Sequence, residues 1–262
     1  MWSERQRAML AEMGIRVFVP PAAAVPDEAP VEELVEAEEA TAPVAAPAAP
    51  REERPAPATR PADLIARAPS PIDSLDWEPL REAVAGCTAC RLCESRRNTV
   101  FGVGHVRAHW MVIGEAPGEQ EDLRGEPFVG PAGQLLDSML RALGLTREEA
   151  PPEQQVFIAN TLKCRPPRNR NPEPEELARC EPFLQRQIAL VQPRIILAMG
   201  RFAVQSLLRS SEPIGRLRGR VHQYQGVPLV VTYHPAYLLR QPMDKARAWE
   251  DLCLAAEVIE KR

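Results

Sequence analysis

Four short apolar runs alternate along this chain with four helix-like stretches, and no other feature restricts the fold as strongly. The runs lie at residues 110–113, 156–159, 195–199 and 229–232, and the helix-like stretches at 133–143, 174–191, 202–208 and 245–259. The runs are rich in β-branched and large apolar residues and lack strict apolar/polar alternation, which is typical of strands buried on both faces. Strands that alternate with helices form parallel sheets covered by helices on both faces. We therefore predict an α/β fold of three layers, α/β/α, around a central four-stranded parallel sheet.

The first 72 residues differ in composition from the rest of the chain. Residues 20–72 hold 12 prolines and 16 alanines, so two residue types fill 28 of 53 positions. Such a segment cannot bury enough apolar surface to fold, and we predict a disordered linker. Residues 1–19 have the apolar spacing of one short amphipathic helix that stops at Gly14. The predicted folded domain is therefore residues 73–262, preceded by a disordered N-terminal tail.

The formal net charge of −4 belongs to the N-terminal part of the chain. Residues 1–76 hold 14 acidic and 7 basic groups, whereas residues 77–262 hold 22 acidic and 25 basic groups. A mildly basic domain is compatible with a polyanionic partner. No run approaches the roughly 20 apolar residues that span a bilayer, and the first residues are charged where a signal peptide is apolar. We expect a monomeric cytoplasmic protein that has no contact with a membrane.

Glycine- or proline-rich turns with polar side chains follow three of the four apolar runs. GEAPG at 114–118 and EPFVGPAG at 126–133 follow the first, NTLKCRPPRNRNP at 160–172 follows the second, and HPAYLLR at 234–240 follows the fourth. Each turn alone is also compatible with a simple tight connection between two elements. In open α/β sheets, ligands bind beyond the carboxyl ends of the strands. The coincidence of these turns at one rim therefore predicts a shared binding site.

The cysteines indicate a metal site rather than disulfides. Six cysteines in 262 residues are too few for a disulfide scaffold and suit a reducing cytosol. Cys87 and Cys90 form a C-x2-C pair, and Cys164 and Cys180 are separated by 15 residues. Four thiolates suit either a [4Fe–4S] cluster or a structural zinc ion. Cys93 extends the first pair, but the rest of a ferredoxin motif is missing, and we predict that Cys93 is not a ligand.

Together these turns closely resemble the family 4 uracil-DNA glycosylases, the iron–sulfur branch of the uracil-DNA glycosylase superfamily. The resemblance extends from about Cys87 to Arg240 and does not include residues 1–72. It implies the uracil-DNA glycosylase fold and a monofunctional enzyme that hydrolyses the N-glycosidic bond of a flipped-out deoxyuridine in DNA, the first step of base-excision repair. Covalently trapping relatives have glutamine at the position of Ala116 and a basic insertion that this chain lacks. A hydrolytic enzyme is therefore favoured.

The resemblance implies a role for three side chains in binding the flipped uracil. Phe128 would stack on the base, Asn160 would recognise its edge, and His234 would donate a hydrogen bond to O2. An asparagine amide accepts from uracil N3–H while it donates to O4, whereas cytosine presents the opposite pattern. The donor to O2 strengthens as the leaving uracil becomes anionic. These three residues would therefore provide both the specificity and the catalysis.

Further roles are implied for the turn after the first run and for the cysteines. Glu115, Ala116 and Pro117 would line the uracil pocket and hold the attacking water. Glu121 would orient this water or stabilise charge near it, so the implied catalytic residues are Glu115, Glu121 and His234. The structural [4Fe–4S] cluster would be held by Cys87, Cys90, Cys164 and Cys180.

The segment after His234 has the character of a DNA-binding loop. Apolar side chains beside a cation suit a loop that enters the base stack and contacts a phosphate, which predicts DNA binding by Tyr237, Leu238, Leu239 and Arg240. In the alternative, both leucines pack inward. Such an enzyme would associate with the nucleoid.

Two other functions and one partner remain as hypotheses. A non-catalytic DNA-binding or replication-accessory protein on the same fold is disfavoured by the intact Phe128, Asn160 and His234. A zinc-stabilised interaction module would be colourless and would contain stoichiometric zinc. For residues 1–18 we predict docking on a replication or repair protein, the alternative being a leader that has no partner.

Overall fold

The structure, a computed structural model, describes residues 70–261 and, of the N-terminal segment, only the helical residue Glu12. The predictions for residues 1–19 and for the linker up to residue 69 concern positions outside this part, Glu12 excepted. The described domain begins with a 3-10 helix, Pro71–Ser74, which Ser70 and Asp73 cap through reciprocal hydrogen bonds. Residues 70–72, which the sequence analysis assigned to the linker, belong to this capped element, and the domain boundary itself stays a prediction.

The sheet of the described domain has six strands. They are β1 (Val103–Gly104), β2 (Trp110–Gly114), β3 (Val156–Asn160), β4 (Ile195–Met199), β5 (Val221–Tyr224) and β6 (Val227–Thr232). Their order across the sheet is β1-β3-β2-β4-β6-β5. The four predicted runs form β2, β3, β4 and β6, which pair in parallel. The strands β1 and β5 add an antiparallel edge on each side, so the predicted count of four was too low.

The helices of the described domain include the four that the sequence predicts. The α-helices of the described domain are α1 (Trp77–Ala85), α2 (Leu92–Ser95), α3 (Glu119–Arg124), α4 (Pro131–Ala142), α5 (Pro174–Val191), α6 (Arg201–Leu208), α7 (Ile214–Leu217), α8 (Pro235–Arg240) and α9 (Lys245–Glu260). The predicted stretches correspond to α4, α5, α6 and α9. Proline occupies the first turn of α4, α5 and α8, where its missing N–H costs no intrahelical hydrogen bond. Within residues 70–261, no helix has the length and apolarity needed to cross a membrane.

Helices cover both faces of the sheet, as the three-layer prediction requires. Met111 and Ile113 of β2 pack into one core cluster together with residues of α1, α5 and α6. Trp110 and Val112 point to the opposite face and join a second cluster with α4 and α9. Both faces of β2 are buried because successive side chains of a strand alternate between faces. This double burial explains why the central strands are apolar at nearly every position.

The parallel register brings the ends of the central strands to one edge of the sheet. Gly114 at the end of β2 pairs with Asn160 at the end of β3. Met199 at the end of β4 pairs with Thr232 at the end of β6. The residues that follow these four ends therefore face a common space.

Candidate active site

A cleft of about 730 Å³ opens at this edge of the sheet. Its lining includes every residue that the sequence analysis assigned to uracil binding or catalysis: Glu115, Ala116, Pro117, Glu121, Phe128, Asn160 and His234. The turn residues come from the ends of β2, β3 and β6, as predicted from the rule for strand ends.

Asn160 carries an unpaired amide oxygen in this cleft. The residue is 2% exposed, and its Oδ1 atom has no hydrogen-bond partner. Leaving a buried acceptor unpaired costs about 1–3 kcal/mol, so such an atom is expected to bind a donor from a ligand. Gly114 permits the approach of this amide, because a Cβ atom there would lie 2.4 Å from Asn160 Oδ1 and 2.6 Å from Phe128 Cζ.

Phe128 is held in a backbone conformation that bulky residues rarely adopt. Its φ angle is 54°, and its side chain is almost fully buried. The helix α4 packs tightly against this peptide, since a Cβ atom on Gly133 would lie 1.8 Å from the Phe128 carbonyl oxygen. The ring stacks against His234, with 5.3 Å between centroids and 26° between planes. Strain of this kind is concentrated at functional sites.

His234 is fixed as a neutral hydrogen-bond donor. It caps the N-terminus of α8, and its Nδ1 atom accepts a hydrogen bond of 3.1 Å from the backbone N–H of Ala236. Burial lowers the pKa of the imidazole to about 4, although the carboxylate of Glu121 acts in the opposite direction. With Nδ1 serving as an acceptor, the single proton of the neutral ring lies on Nε2. Nε2–H is therefore available to a ligand.

The two glutamates of the cleft differ in their surroundings. Glu121 Oε2 accepts from the backbone N–H of Gly118 at 3.0 Å, and Oε1 accepts from those of Val129 at 3.0 Å and Gly130 at 3.4 Å. This carboxylate thus joins the turn after β2 to the segment that carries Phe128. For Glu115, burial raises the pKa of the carboxyl to about 7, against the opposing effect of the nearby Arg201 guanidinium.

The backbone of Glu115 is anchored to the end of β3. Its carbonyl oxygen accepts from Thr161 Oγ1 at 2.5 Å and from the Leu162 N–H at 3.1 Å. The turn that would hold the attacking water is therefore fixed relative to Asn160.

The predicted DNA-binding segment forms the short helix α8, and this corrects one assignment. Leu238 is fully buried in the core cluster beneath the sheet edge, so the prediction that it contacts DNA is wrong for this conformation. Pro235 and Leu238, three residues apart, face inward together. Leu239 is 45% exposed, Arg240 is exposed, and both Tyr237 and Arg240 line the cleft.

Several residues to which the sequence analysis gave no role in the pocket line the same cleft. Gly200 and Arg201 follow β4, and Tyr233 immediately precedes His234. Arg170 also lines it and forms a two-point ion pair with Glu176, at 2.9 Å and 2.5 Å. The rule for strand ends could have identified Gly200 and Arg201, because they occupy the first positions after a predicted strand. The ion pair of Arg170 has no comparable signal in the sequence.

The four predicted metal ligands line one small apolar cavity next to this site. Cys87 and Cys90, between α1 and α2, are half-buried, whereas Cys164 after β3 and Cys180 in α5 are buried. Burial raises the pKa of the Cys180 thiol to about 12. Cys93 does not belong to the lining of this cavity.

Two N–H groups donate to these sulfurs. Arg96 Nη1 lies 3.1 Å from Cys164 Sγ, and the backbone N of Lys163 lies 3.2 Å from Cys180 Sγ. Donors of this kind suit thiolates rather than thiols. Within residues 70–261, no three His, Cys, Asp or Glu side chains are arranged to hold a single metal ion. Four cysteine side chains are the usual donor set of a [4Fe–4S] cluster, so the residues that line this cavity fit such a group.

Sequence comparison agrees with the class of protein that this fold and cleft define. A profile of the uracil DNA glycosylase superfamily matches residues 101–253, and the chain belongs to this superfamily. Within it, the chain is similar to type-4 uracil-DNA glycosylases. The relative from Archaeoglobus fulgidus is 39% identical over 199 residues, which cover 73% of this chain and 96% of the relative. The relative from Thermotoga maritima is 41% identical over 188 residues, covering 70% and 95%.

Proposed function

We propose that this protein is a monofunctional uracil-DNA glycosylase that hydrolyses the N-glycosidic bond of a flipped-out deoxyuridine in DNA and so starts base-excision repair. The observation that carries the proposal is the unpaired Oδ1 of Asn160, which shares a cleft with the Phe128 ring and the neutral imidazole of His234. An enzyme that acts on a base within DNA must take the nucleotide out of the stack and into such a pocket.

Asn160 gives the pocket its preference for uracil. The unpaired Oδ1 accepts from N3–H, while the Nδ2 group donates to O4. Cytosine has an unprotonated N3 and an amino group in place of O4, so both contacts become repulsive. A site built around hydrogen bonds rejects a ligand that leaves its buried polar groups unpaired.

His234 stabilises the departing base. As the bond to the sugar breaks, negative charge develops on uracil, and the Nε2–H group donates to O2. A neutral donor in a buried site needs no reorganisation when this charge appears. The turn Glu115-Ala116-Pro117 holds the attacking water, and the Glu115 carboxyl, with a pKa of about 7, is able to take up its proton. Glu121 has a positioning role, since its hydrogen bonds fix two segments of the pocket.

The exposed residues next to the pocket provide the contact with DNA. Leu239 extends from α8 toward solvent and is suited to fill the gap that the flipped nucleotide leaves in the duplex. Tyr237 and Arg240 line the mouth of the cleft, where Arg240 contacts a phosphate. We further propose that the enzyme is a monomer in the cytoplasm and that residues 1–18 dock on a replication or repair protein.

A structural [4Fe–4S] cluster is the cofactor that suits the cysteine cavity. Cys87, Cys90, Cys164 and Cys180 supply one thiolate each, and the cavity walls are mostly apolar. When bound, the group would supply cross-links between the segments that carry these cysteines, and no chemistry for the hydrolysis. Through it, the segment between α1 and α2 is tied to the end of β3 and to α5.

The proposed function is tested by removing the two polar pocket groups one at a time. Asn160→Ala and His234→Ala should each slow single-turnover uracil release by roughly 10²-fold, because each removes a contact that strengthens in the transition state. Binding to undamaged DNA of the same length should change little. Release of uracil at the wild-type rate by both variants would exclude this pocket, and DNA binding by a wild-type protein that releases no uracil would favour the non-catalytic alternative.

A further inference from the structure

Lys163 is a buried cation that lies between the uracil pocket and the cysteine cavity. It is 2% exposed, and its Nζ atom donates to the backbone carbonyl of Asn160 at 2.8 Å and to Gln187 Oε1 at 2.6 Å. Gln187, on α5, is itself fully buried, and its Nε2 donates to the Phe101 carbonyl at 2.9 Å. The side chain of Lys163 thus connects the residue that recognises the base to the helix that carries Cys180.

The hydrogen bonds of Lys163 leave its charge uncompensated. Both of the acceptors named above are neutral, and no carboxylate of the described residues forms an ion pair with it. A buried ammonium group without an anion is costly by several kcal/mol, so a nearby anion is expected. The cysteine thiolates are the candidates, because the Lys163 backbone N–H donates to Cys180 Sγ and Cys164 is the next residue. Four thiolates outweigh the positive charge of a [4Fe–4S] core and give the site a net negative charge.

Residue choice supports a specific role for this ammonium group. Only 3 of the 32 basic residues of the chain are lysines, at 163, 245 and 261. An ammonium group is a compact charge with rotatable donors, whereas a guanidinium is a planar fork that needs more space. Of the three lysines, Lys163 is the buried one, and the acceptors of its ammonium group are neutral.

We propose that Lys163 is a positioning residue that serves both sites, as the internal counter-cation of the cluster thiolates and as the support that holds the Asn160 peptide. The inference rests on the proposed function, since it assumes the cluster and the role of Asn160. The positive charge of Lys163 influences the cluster thiolates, whereas its hydrogen bond to the Asn160 carbonyl supports the pocket. The two effects are therefore separable by substitution.

The test compares two substitutions in the full-length, cluster-loaded protein. Gln187→Glu keeps an acceptor for Lys163 and adds a negative charge that neutralises the ammonium, although it also removes the hydrogen bond from Nε2 to the Phe101 carbonyl. Lys163→Met removes the charge and the hydrogen bond together. Lys261→Met, at the exposed end of the chain, is the matched control for loss of one lysine charge. The two measurements are the midpoint potential of the cluster, followed by electron paramagnetic resonance, and the single-turnover rate of uracil release.

The expected results differ between the two substitutions. Both should lower the midpoint potential, because loss of a nearby positive charge favours the oxidised cluster. Lys163→Met should also slow uracil release about tenfold, since the Asn160 carbonyl loses its buried donor. Gln187→Glu should keep the rate within about twofold of wild type, as expected when the hydrogen bond to Asn160 persists. Lys261→Met should change neither quantity.

Several outcomes would overturn the inference. An unchanged potential in Gln187→Glu would show that Lys163 is no counter-cation, and a slowed rate in this variant would show that the rate does not follow the Asn160 hydrogen bond. These two results decide the matter even if Lys163→Met does not fold. A wild-type protein without iron would remove the cofactor proposal and this inference with it. Iron-loaded wild type without uracil release would instead refute the proposed function.

Discussion

The burial of His234 links the stability of the protein to pH. The pKa of this imidazole falls from its ordinary value of 6.5 to about 4 in the folded protein. The unfolded chain therefore binds a proton at this position between pH 6.5 and 4, whereas the folded protein does not. The contribution of the neutral His234 imidazole to the unfolding free energy is fully present above pH 6.5. This contribution is lost as the pH falls through this window, by roughly 3 kcal/mol in total.

We therefore expect His234→Gln to flatten the pH dependence of the unfolding free energy. Urea titrations at pH 7 and pH 4.5 should show that the unfolding free energy decreases less between these two pH values for this variant than for wild type. His105→Gln, which changes a histidine outside the cleft, serves as the control. Equal losses in wild type and His234→Gln would mean that the imidazole is protonated in the folded protein.

The identity of the pocket residues could be predicted from the sequence, but their environment could not. The family resemblance carried by the turns GEAPG, EPFVGPAG and NTLKC implied that Phe128, Asn160 and the nearby Glu121 share one site. The unpaired Oδ1 of Asn160 and the positive φ of Phe128 arise only when β2, β3 and α4 pack together. For the same reason, the sequence did not show that three backbone N–H groups surround the Glu121 carboxylate.

The helix α8 presents two adjacent leucines to different environments, and this predicts different effects of substitution. Leu239→Ala should lower uracil release from double-stranded DNA about tenfold more than from single-stranded DNA, because only a duplex leaves a gap to fill. Leu238→Ala should instead destabilise the fold by about 2–5 kcal/mol, as expected when a fully buried leucine is truncated. Uracil-release assays on single-stranded and double-stranded DNA measure the first effect, and chemical denaturation measures the second. If Leu239→Ala affected both substrates equally, the side chain would not act as a wedge.

The central strands were predictable because they are continuously apolar, whereas the edge strands were not. The strand β1 has two residues, Val103 and Gly104, too few for any periodicity. The strand β5, VHQY, has no large apolar core face, and its pairing depends on a two-residue turn at Gln225 and Gly226 with φ angles of 49° and 83°. Positive φ at both positions is typical of the type I′ turn that joins two strands. The Gln-Gly pair was therefore the one feature of this segment from which the hairpin could have been predicted.

At the scale of the whole domain, the cysteine cavity predicts which thiols are needed for iron. Purification without oxygen should give a brown protein, and alanine at any one of four positions should remove iron: Cys87, Cys90, Cys164 and Cys180. Cys93→Ala is the matched control, because this thiol does not line the cavity. Iron content and visible absorbance provide the measurement. Iron loss in Cys93→Ala together with retention in Cys180→Ala would overturn the ligand assignment.

The convergence of these cysteines depends on tertiary structure more than on spacing. The pair Cys87 and Cys90 is recognisable from its two-residue separation, but Cys164 and Cys180 are brought together only by the packing of α5 beside the end of β3. The choice among the six cysteines therefore required family resemblance, and the folded chain supplies the common cavity that spacing alone could not.

The order of the strands has a consequence for how this kind of protein changes specificity. From β2 the chain moves outward to β3 and then returns past β2 to β4, so α4 and α5 lie on opposite faces of the sheet. The reversal opens a crevice beyond the end of β2 whatever residues stand in the adjoining turns. Connectivity thus creates the space, and the turns decide which base occupies it. We therefore expect that exchange of turn residues would change the ligand of such a scaffold while the sheet beneath stays intact.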